Sequence, residues 1–298
     1  MIIISVKHFG MEVKMKASLT ACSNPVSSDQ RENIKRLITL LEKEGLKVVT
    51  SPYLFGCHEN SPERSKAKDL MEYFRDSEMD FIFDISGGDI ANSILPELDY
   101  EVIRKSRAVF CGYSDLTTLL NAIYTKTGCE TMNYQIRNLL YGYRESEMMY
   151  FREHILKSVV TEADLEYQLL QGDTMKGIVL GGNIRCFLKL AGTPFWPDLS
   201  GAILMLESYR GGVMQMTTLL HQLKQIGVFE QINGILLGTF SAMEDEQLKP
   251  TIAELVQEIV PRTLPIAVTR YIGHRTDARA IVIGREYALG KAKMLNFS

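Results

Sequence analysis

The clearest chemical potential in the chain lies in Val109-Phe110-Cys111-Gly112-Tyr113-Ser114-Asp115-Leu116-Thr117, where an apolar strand runs into a glycine-containing turn and a helix begins directly after Ser114. A serine at such a strand-to-helix turn presents its hydroxyl outward, beside helix-start amides able to stabilise an oxyanion. The spacing is Gly-x-Ser-x-Leu, not the Gly-x-Ser-x-Gly of α/β-hydrolases, and capping of the helix by Ser114 and Asp115 is the competing structural reading. Cys111 is a rival nucleophile by residue type, but a thiol inside a strand is expected to be buried and inert. Ser86-Gly87-Gly88-Asp89 closes the apolar run Phe81–Ile85. Its paired glycines allow a turn whose amides face a phosphate or an oxyanion, or simply a tight strand-to-helix connection.

Two further groups could complete a reaction centre. His274 follows Gly273 after an apolar strand, on a loop from which a general base could reach a cleft. Glu207 ends the run Ala202–Leu206, where a carboxylate sits either at a sheet edge or at the end of a buried strand, ready to orient an imidazole. The other histidines, His8, His58, His154 and His221, have no metal-ligand spacing, so no metal is expected.

The elements around these residues alternate. Ala17–Cys22, Leu46–Thr50, Phe81–Ile85 and Ala108–Cys111 read as strands. The segments 28–44, 62–75, 90–95 and 116–126 read as helices, which predicts a parallel sheet with helices on both faces. Charge concentrates over 144–173, so a boundary is expected there: residues 1–145 form a first domain carrying the serine, 146–175 a connector, and 176–298 a second domain carrying Glu207 and His274. The second half, with short apolar runs at 177–180, 202–206, 235–237, 266–268 and 280–283 and one clear helix over 213–226, reads as α+β.

Composition bounds the rest. A length of 298 residues favours two domains or one large α/β unit, and 46% hydrophobic with 23% charged residues excludes disordered, collagen-like and coiled-coil chains. A net charge of -3 provides no basic excess for nucleic acid, and no apolar run approaches the ~18 residues of a membrane span. The letters Leu19-Thr20-Ala21-Cys22 spell a lipoprotein box, but the preceding segment is charged, and no cleaved leader is expected. Five widely spaced cysteines without a CxxC pair suit reduced thiols in a cytoplasm.

Taken in order, the motifs resemble those of the LD-carboxypeptidases, a serine peptidase family that also holds the microcin C immunity peptidases. The resemblance runs through Ala21-Cys22-Ser23-Asn24-Pro25, Gly87-Gly88, Leu95–Tyr100, Phe110–Thr117 and Thr127-Gly128. It continues through Gly181-Gly182-Asn183, Ala191–Pro194, Leu204–Glu207 and Ile272–His274. It implies a flavodoxin-like parallel-sheet domain followed by a smaller α+β, swivelling β/β/α-like domain, with Ser114 as nucleophile, His274 as base and Glu207 as its orienting acid. The amides of Gly88 and Asp115 would form the oxyanion hole, with Gly87 beside the substrate. No cofactor is implied, and the partners expected are a small peptide or peptide conjugate and a second copy of the chain in a cytoplasmic homodimer.

The sequence departs from the family at Asn133-Tyr134-Gln135, in place of a His-Gly-Pro, and at Ser208–Gly212. Three activities therefore stand: removal of a terminal D-amino acid from murein peptides, cleavage of a peptidyl- or aminoacyl-nucleotide conjugate, and silent peptide binding. A carboxypeptidase must read a free carboxylate, which a guanidinium fork suits, and Arg210 and Arg275 lie beside the proposed catalytic groups. Trp196, with Phe195 and Tyr209, is the candidate platform for a base.

Overall fold

The computed structural model describes residues 15–56, 60, 62–141 and 144–290. Cys57, His8, His58 and the apolar stretch Ile2–Val6 lie outside the described residues. The first half runs Lys16–Thr20 (β1), Arg31–Lys43 (α1), Lys47–Thr50 (β2), Pro62–Arg75 (α2), Met79–Asp84 (β3), Tyr100–Lys105 (α3), Val109–Gly112 (β4), Thr117–Thr127 (α4) and Thr131–Asn133 (β5). These strands pair in parallel in the order β2-β1-β3-β4-β5, which is the flavodoxin-like order. Strand β3 carries the unbroken apolar run Phe81-Ile82-Phe83, all buried, because both of its faces are covered. α1 keeps Ile34, Leu37 and Leu41 on its buried stripe and ends at Gly45, whose φ of 85° is a left-handed stop.

The second half runs Arg144–Tyr150 (α5), Gln168–Gln171 (β6), Thr174–Asn183 (β7), Ile184–Leu188 (α6), Ile203–Ser208 (β8), Val213–Gln225 (α7), Gly234–Phe240 (β9), Ser241–Asp245 (α8), Ile252–Ile259 (α9), Ile266–Val268 (β10), Ile281–Ile283 (β11) and Glu286–Gly290 (β12). Its sheet is mixed, in the order β12-β7-β8-β9-β10-β6: β7 to β10 are parallel, and β12 and β6 close the edges antiparallel. Two details depart from a simple division of the chain. β11, expected within the second domain, pairs antiparallel with β5 at the edge of the first sheet. β6, expected within the connector, is an edge strand of the second sheet.

Helix α4 joins the two halves. Thr117 to Ile123 are all buried, since the helix packs against β4 and β5 on one side and β7 and α6 on the other. Close approach is possible because Gly182 holds a φ of 139°, and a Cβ there would stand 2.6 Å from Thr117 Oγ1. Polar groups cross the seam. The Asn121 amide accepts from the Gly181 backbone N–H at 2.9 Å and donates to the Gly181 carbonyl at 2.8 Å, while Thr117 Oγ1 accepts from the Asn183 N–H at 3.0 Å.

Asn121→Ala removes both partners of a buried backbone amide and carbonyl, each costing about 1–3 kcal/mol when left unsatisfied. Urea unfolding is expected to give a loss of about 2–5 kcal/mol, well outside the roughly 0.5 kcal/mol scatter of neutral surface changes.

Candidate active site

Beyond β4 the backbone is extended at Tyr113 and then turns at Ser114, whose φ of 57° lies in the left-handed region that serine rarely adopts. Residues Ser114–Leu116 form one 3-10 turn leading into α4. No side-chain cap is made by Ser114 or Asp115 at either helix start, so capping does not account for this turn. The fully buried Asp115 carboxylate faces inward instead. It accepts from Ser23 Oγ at 2.6 Å and from the Ala91 N–H at 2.9 Å, and it pairs with Lys189, which caps the C-terminal end of α6. Burial pushes this carboxyl up, but the bonds from Lys189, Ser23 and Ala91 outweigh that and hold it below the usual carboxylate range. The loops after β1 and β3 and the C-terminal end of α6 are thereby fastened to the residue following Ser114.

The second sheet supplies an imidazole and a carboxylate. Glu207 is buried near the carboxyl end of β8, with Oε2 lying 2.7 Å from Nδ1 of His274. Its Oε1 accepts from Nδ2 of Asn183, the last residue of β7, at 3.0 Å. An ionised carboxylate only accepts, so Nδ1 carries the proton and Nε2 is left as a base. The His274 ring is flanked by Tyr113 and Tyr209, at 5.2 and 4.9 Å between ring centres.

Ser114 and His274 face one cleft of about 370 Å³, together with Gly87, Gly88, Arg137 and Gln135. A second lobe of about 480 Å³ shares Gly88, Ser114 and Tyr209 and adds Asn183, Arg185 and Arg210. Both lobes lie outside the carboxyl ends of the strands, where open α/β sheets bind ligands. Gly88 has a φ of 133°, and a Cβ there would lie 2.3 Å from the Asn24 side chain, so the turn accepts only glycine without displacing that loop. Beneath it, Asp84 receives the amides of Cys22 and Ser86 at 2.7 and 2.8 Å and the Ser86 hydroxyl at 2.6 Å. Burial pushes the Asp84 carboxyl up.

The structure thus gathers Ser114, Glu207, His274, Gly87, Gly88, Asp115 and Arg210 around one opening, and the remaining candidates stand apart. Trp196 packs on Phe187 at 4.7 Å and lines neither lobe, and Phe195 packs on Tyr100. Arg275 borders the cleft, but its guanidinium is held by Glu244 at 3.2 Å and Asp245 at 2.7 Å. Cys111 is fully buried, which pushes its thiol well up. His221 is exposed on α7, and His154 pairs with Asp164 far along the chain from the serine. Arg137 and Arg185 went unsignalled in the sequence because each is an isolated basic residue on a short helical turn that only the fold carries to the cleft, and Lys189 because only the fold brings it to Asp115. Among the described residues no group of three or more His, Cys, Asp or Glu side chains is placed to hold a metal ion. No helix among them is long and apolar enough to cross a membrane.

Comparisons with known proteins show the family and the fold. Residues 18–134 match the model of the LD-carboxypeptidase N-terminal domain and residues 176–289 that of the LD-carboxypeptidase C-terminal domain. A probable murein peptide carboxypeptidase of Bacillus subtilis (strain 168) is 27% identical over 282 residues, covering 90% of this chain and 88% of that protein. The microcin C7 self-immunity protein MccF of Escherichia coli is 24% identical over 273 residues, covering 80% and 79%. The structure of MccF in complex with glutamyl sulfamoyl guanosine superposes with a TM-score of 0.82 at 21% identity, covering 94% of each chain.

Two expectations follow from the site. Glu207 accepts on both oxygens, whereas the amide of Glu207→Gln has a single acceptor oxygen for His274 and Asn183, so one bond must be lost. Turnover of any hydrolysed substrate should fall about 10²–10⁴-fold with the fold retained, as steady-state kinetics and circular dichroism would measure. For Asp115 the folded pKa lies below the roughly 3.9 of an unfolded aspartate, so its stabilisation is complete above that pH and is lost as pH falls through the folded value. The stability advantage of the wild type over Asp115→Asn should therefore be largest above about pH 5 and shrink towards pH 2 in denaturant titrations.

Proposed function

The chain belongs to the LD-carboxypeptidase family, and from that premise we propose that it is a serine-type peptidase that removes the terminal residue of small murein-derived peptides. The observation that carries this reading is the Glu207–His274 pair, 2.7 Å apart, facing the same cleft as a serine held at a φ of 57°. His274 Nε2 takes the Ser114 proton as Oγ bonds to the amide carbon, and Glu207 stabilises the imidazolium that results. The carbonyl oxygen becomes an oxyanion received by the Gly88 and Asp115 amides, a donor pair of the kind worth about 10²–10³ in rate per donor. Collapse breaks the C–N bond, and the imidazolium returns its proton to the leaving nitrogen. Water, deprotonated by the same imidazole, then cleaves the acyl-serine ester and restores the hydroxyl.

Among the described residues, Cys22, Cys111, Cys129 and Cys186 are free thiols, which is in keeping with a reducing cytoplasmic setting. One observation favours a second substrate, an aminoacyl-nucleotide conjugate: Tyr209, 51% exposed, borders both lobes and offers an aromatic face to a base. Incubation with a murein tetrapeptide and with an aminoacyl sulfamoyl adenylate, followed by mass spectrometry, separates the two. Release of the terminal D-amino acid from the peptide supports the first reading, and cleavage of the adenylate alone supports the second. Ser114→Ala should abolish either reaction while leaving the thermal transition nearly unchanged. A variant that retains more than a few per cent of turnover would exclude the serine mechanism.

A further inference from the structure

The serine lies where the two lobes meet, but His274 lines only one of them. This asymmetry fixes the direction of the substrate. When the tetrahedral adduct collapses, the protonated Nε2 must be within hydrogen-bond reach, about 3 Å, of the departing nitrogen. The leaving residue therefore occupies the lobe that contains His274, and the acyl portion extends past Ser114 into the lobe bordered by Arg185 and Arg210.

The lobe that contains His274 is bordered by two guanidinium groups in different electrostatic states, those of Arg275 and Arg137. Arg275 is neutralised by Glu244 and Asp245. Arg137 is half-buried, and its side chain is held only by neutral acceptors: Nη2 donates to the Tyr113 hydroxyl at 3.0 Å and Nε to the Gln135 side-chain oxygen. Burial raises the Tyr113 phenol above its ordinary value, so it remains neutral at physiological pH. Among the described residues no carboxylate lies at ion-pair distance from Arg137, in contrast to Arg279 on Glu147, Arg285 on Glu130 and Arg185 on Asp89. A half-buried cation without a counter-ion is costly, and it is the arrangement expected where the counter-ion arrives with a ligand. The Tyr113 side chain bridges the two groups: its hydroxyl accepts from this guanidinium, and its ring lies 5.2 Å from the imidazole of His274, which borders the same lobe.

We infer that Arg137 is the specificity-determining residue that binds the free carboxylate of the departing C-terminal residue, which makes the protein a single-residue carboxypeptidase and not an endopeptidase. The inference rests on the serine-peptidase reading above. It moves the carboxylate anchor away from Arg210, which faces the acyl lobe, and from Arg275, whose charge is already satisfied. Gln135, at the position where the sequence departs from its family, orients the fork by accepting from both the Arg137 backbone N–H and Nε.

The test uses a murein tetrapeptide ending in D-alanine and the same peptide ending in D-alaninamide. Against wild-type protein, Arg137→Gln should raise KM for the free acid about tenfold to a hundredfold while changing KM for the amide less than twofold. Arg137→Lys should recover part of the loss, because it restores the charge but not the fork. Removal of an uncompensated charge should leave Tm unchanged or raise it, whereas a merely structural role would lower it. Equal effects on the two peptides, or discrimination that vanishes in Arg210→Gln instead, would overturn the assignment. Calorimetric binding of both peptides to Ser114→Ala, with and without Arg137→Gln, needs no turnover. A preference for the free acid that depends on Arg137 would uphold the anchor even if the hydrolytic reading failed, and no preference would overturn it even if hydrolysis were observed.

Discussion

The seam between α4 and the end of β7 is the constraint on which the site depends. Ser114 comes from the first sheet, and Glu207 and His274 come from the second, so no local motif sets their relative position. Hydrogen bonds do so instead, in one continuous course. Thr117, three residues past the serine, accepts from the backbone of Asn183, and the side chain of Asn183 donates to Glu207, which holds His274. Asn121 reinforces the course one turn further along α4 by bonding both polar groups of the Gly181 peptide. Lys189 closes it from the other side by pairing with Asp115. β11 adds a second tie, since the chain leaves the His274 loop, pairs with β5 in the first sheet and then returns to β7 as β12.

Charge is distributed with the same economy. The carboxylates of Asp84, Asp115 and Glu207 are almost wholly buried, and each is met by two or more donors that also fix a loop of the cleft. Buried anions of this kind are tolerable only when their lone pairs are satisfied, and here the satisfaction and the positioning are the same bonds. The reacting groups are therefore held by the polar interior of the fold, while the cleft surface is left to recognise substrate.

Much of the fold was legible in the sequence. The strand and helix alternation of the first half, the helix from Pro62 to Arg75 and the αL stop at Gly128 all follow from periodicity and turn chemistry that act locally. β5, β6 and β12 were missed because short strands completed by pairing carry little apolar alternation. α9 was missed despite a readable sign, the Thr251–Glu254 capping box. At the site, the serine turn and the carboxylate ending an apolar strand were visible by type and spacing. The pairing of Glu207 with His274 was suggested only by resemblance, since 67 residues separate them. The roles of Asn121, Asn183, Lys189 and Arg137 depend on contacts between residues 24 to 74 positions apart and leave no local trace.

The central claim is that a serine from one sheet is activated by an imidazole–carboxylate pair from the other. An ester of the acyl portion, mixed with wild-type protein and quenched in acid within the first turnover, tests it most directly when the protein is digested and mapped by mass spectrometry. The account predicts an acyl adduct on Ser114 that forms in wild-type protein and is absent from His274→Ala. Hydrolysis that leaves no adduct on the protein, or an adduct carried by Cys111, would contradict it.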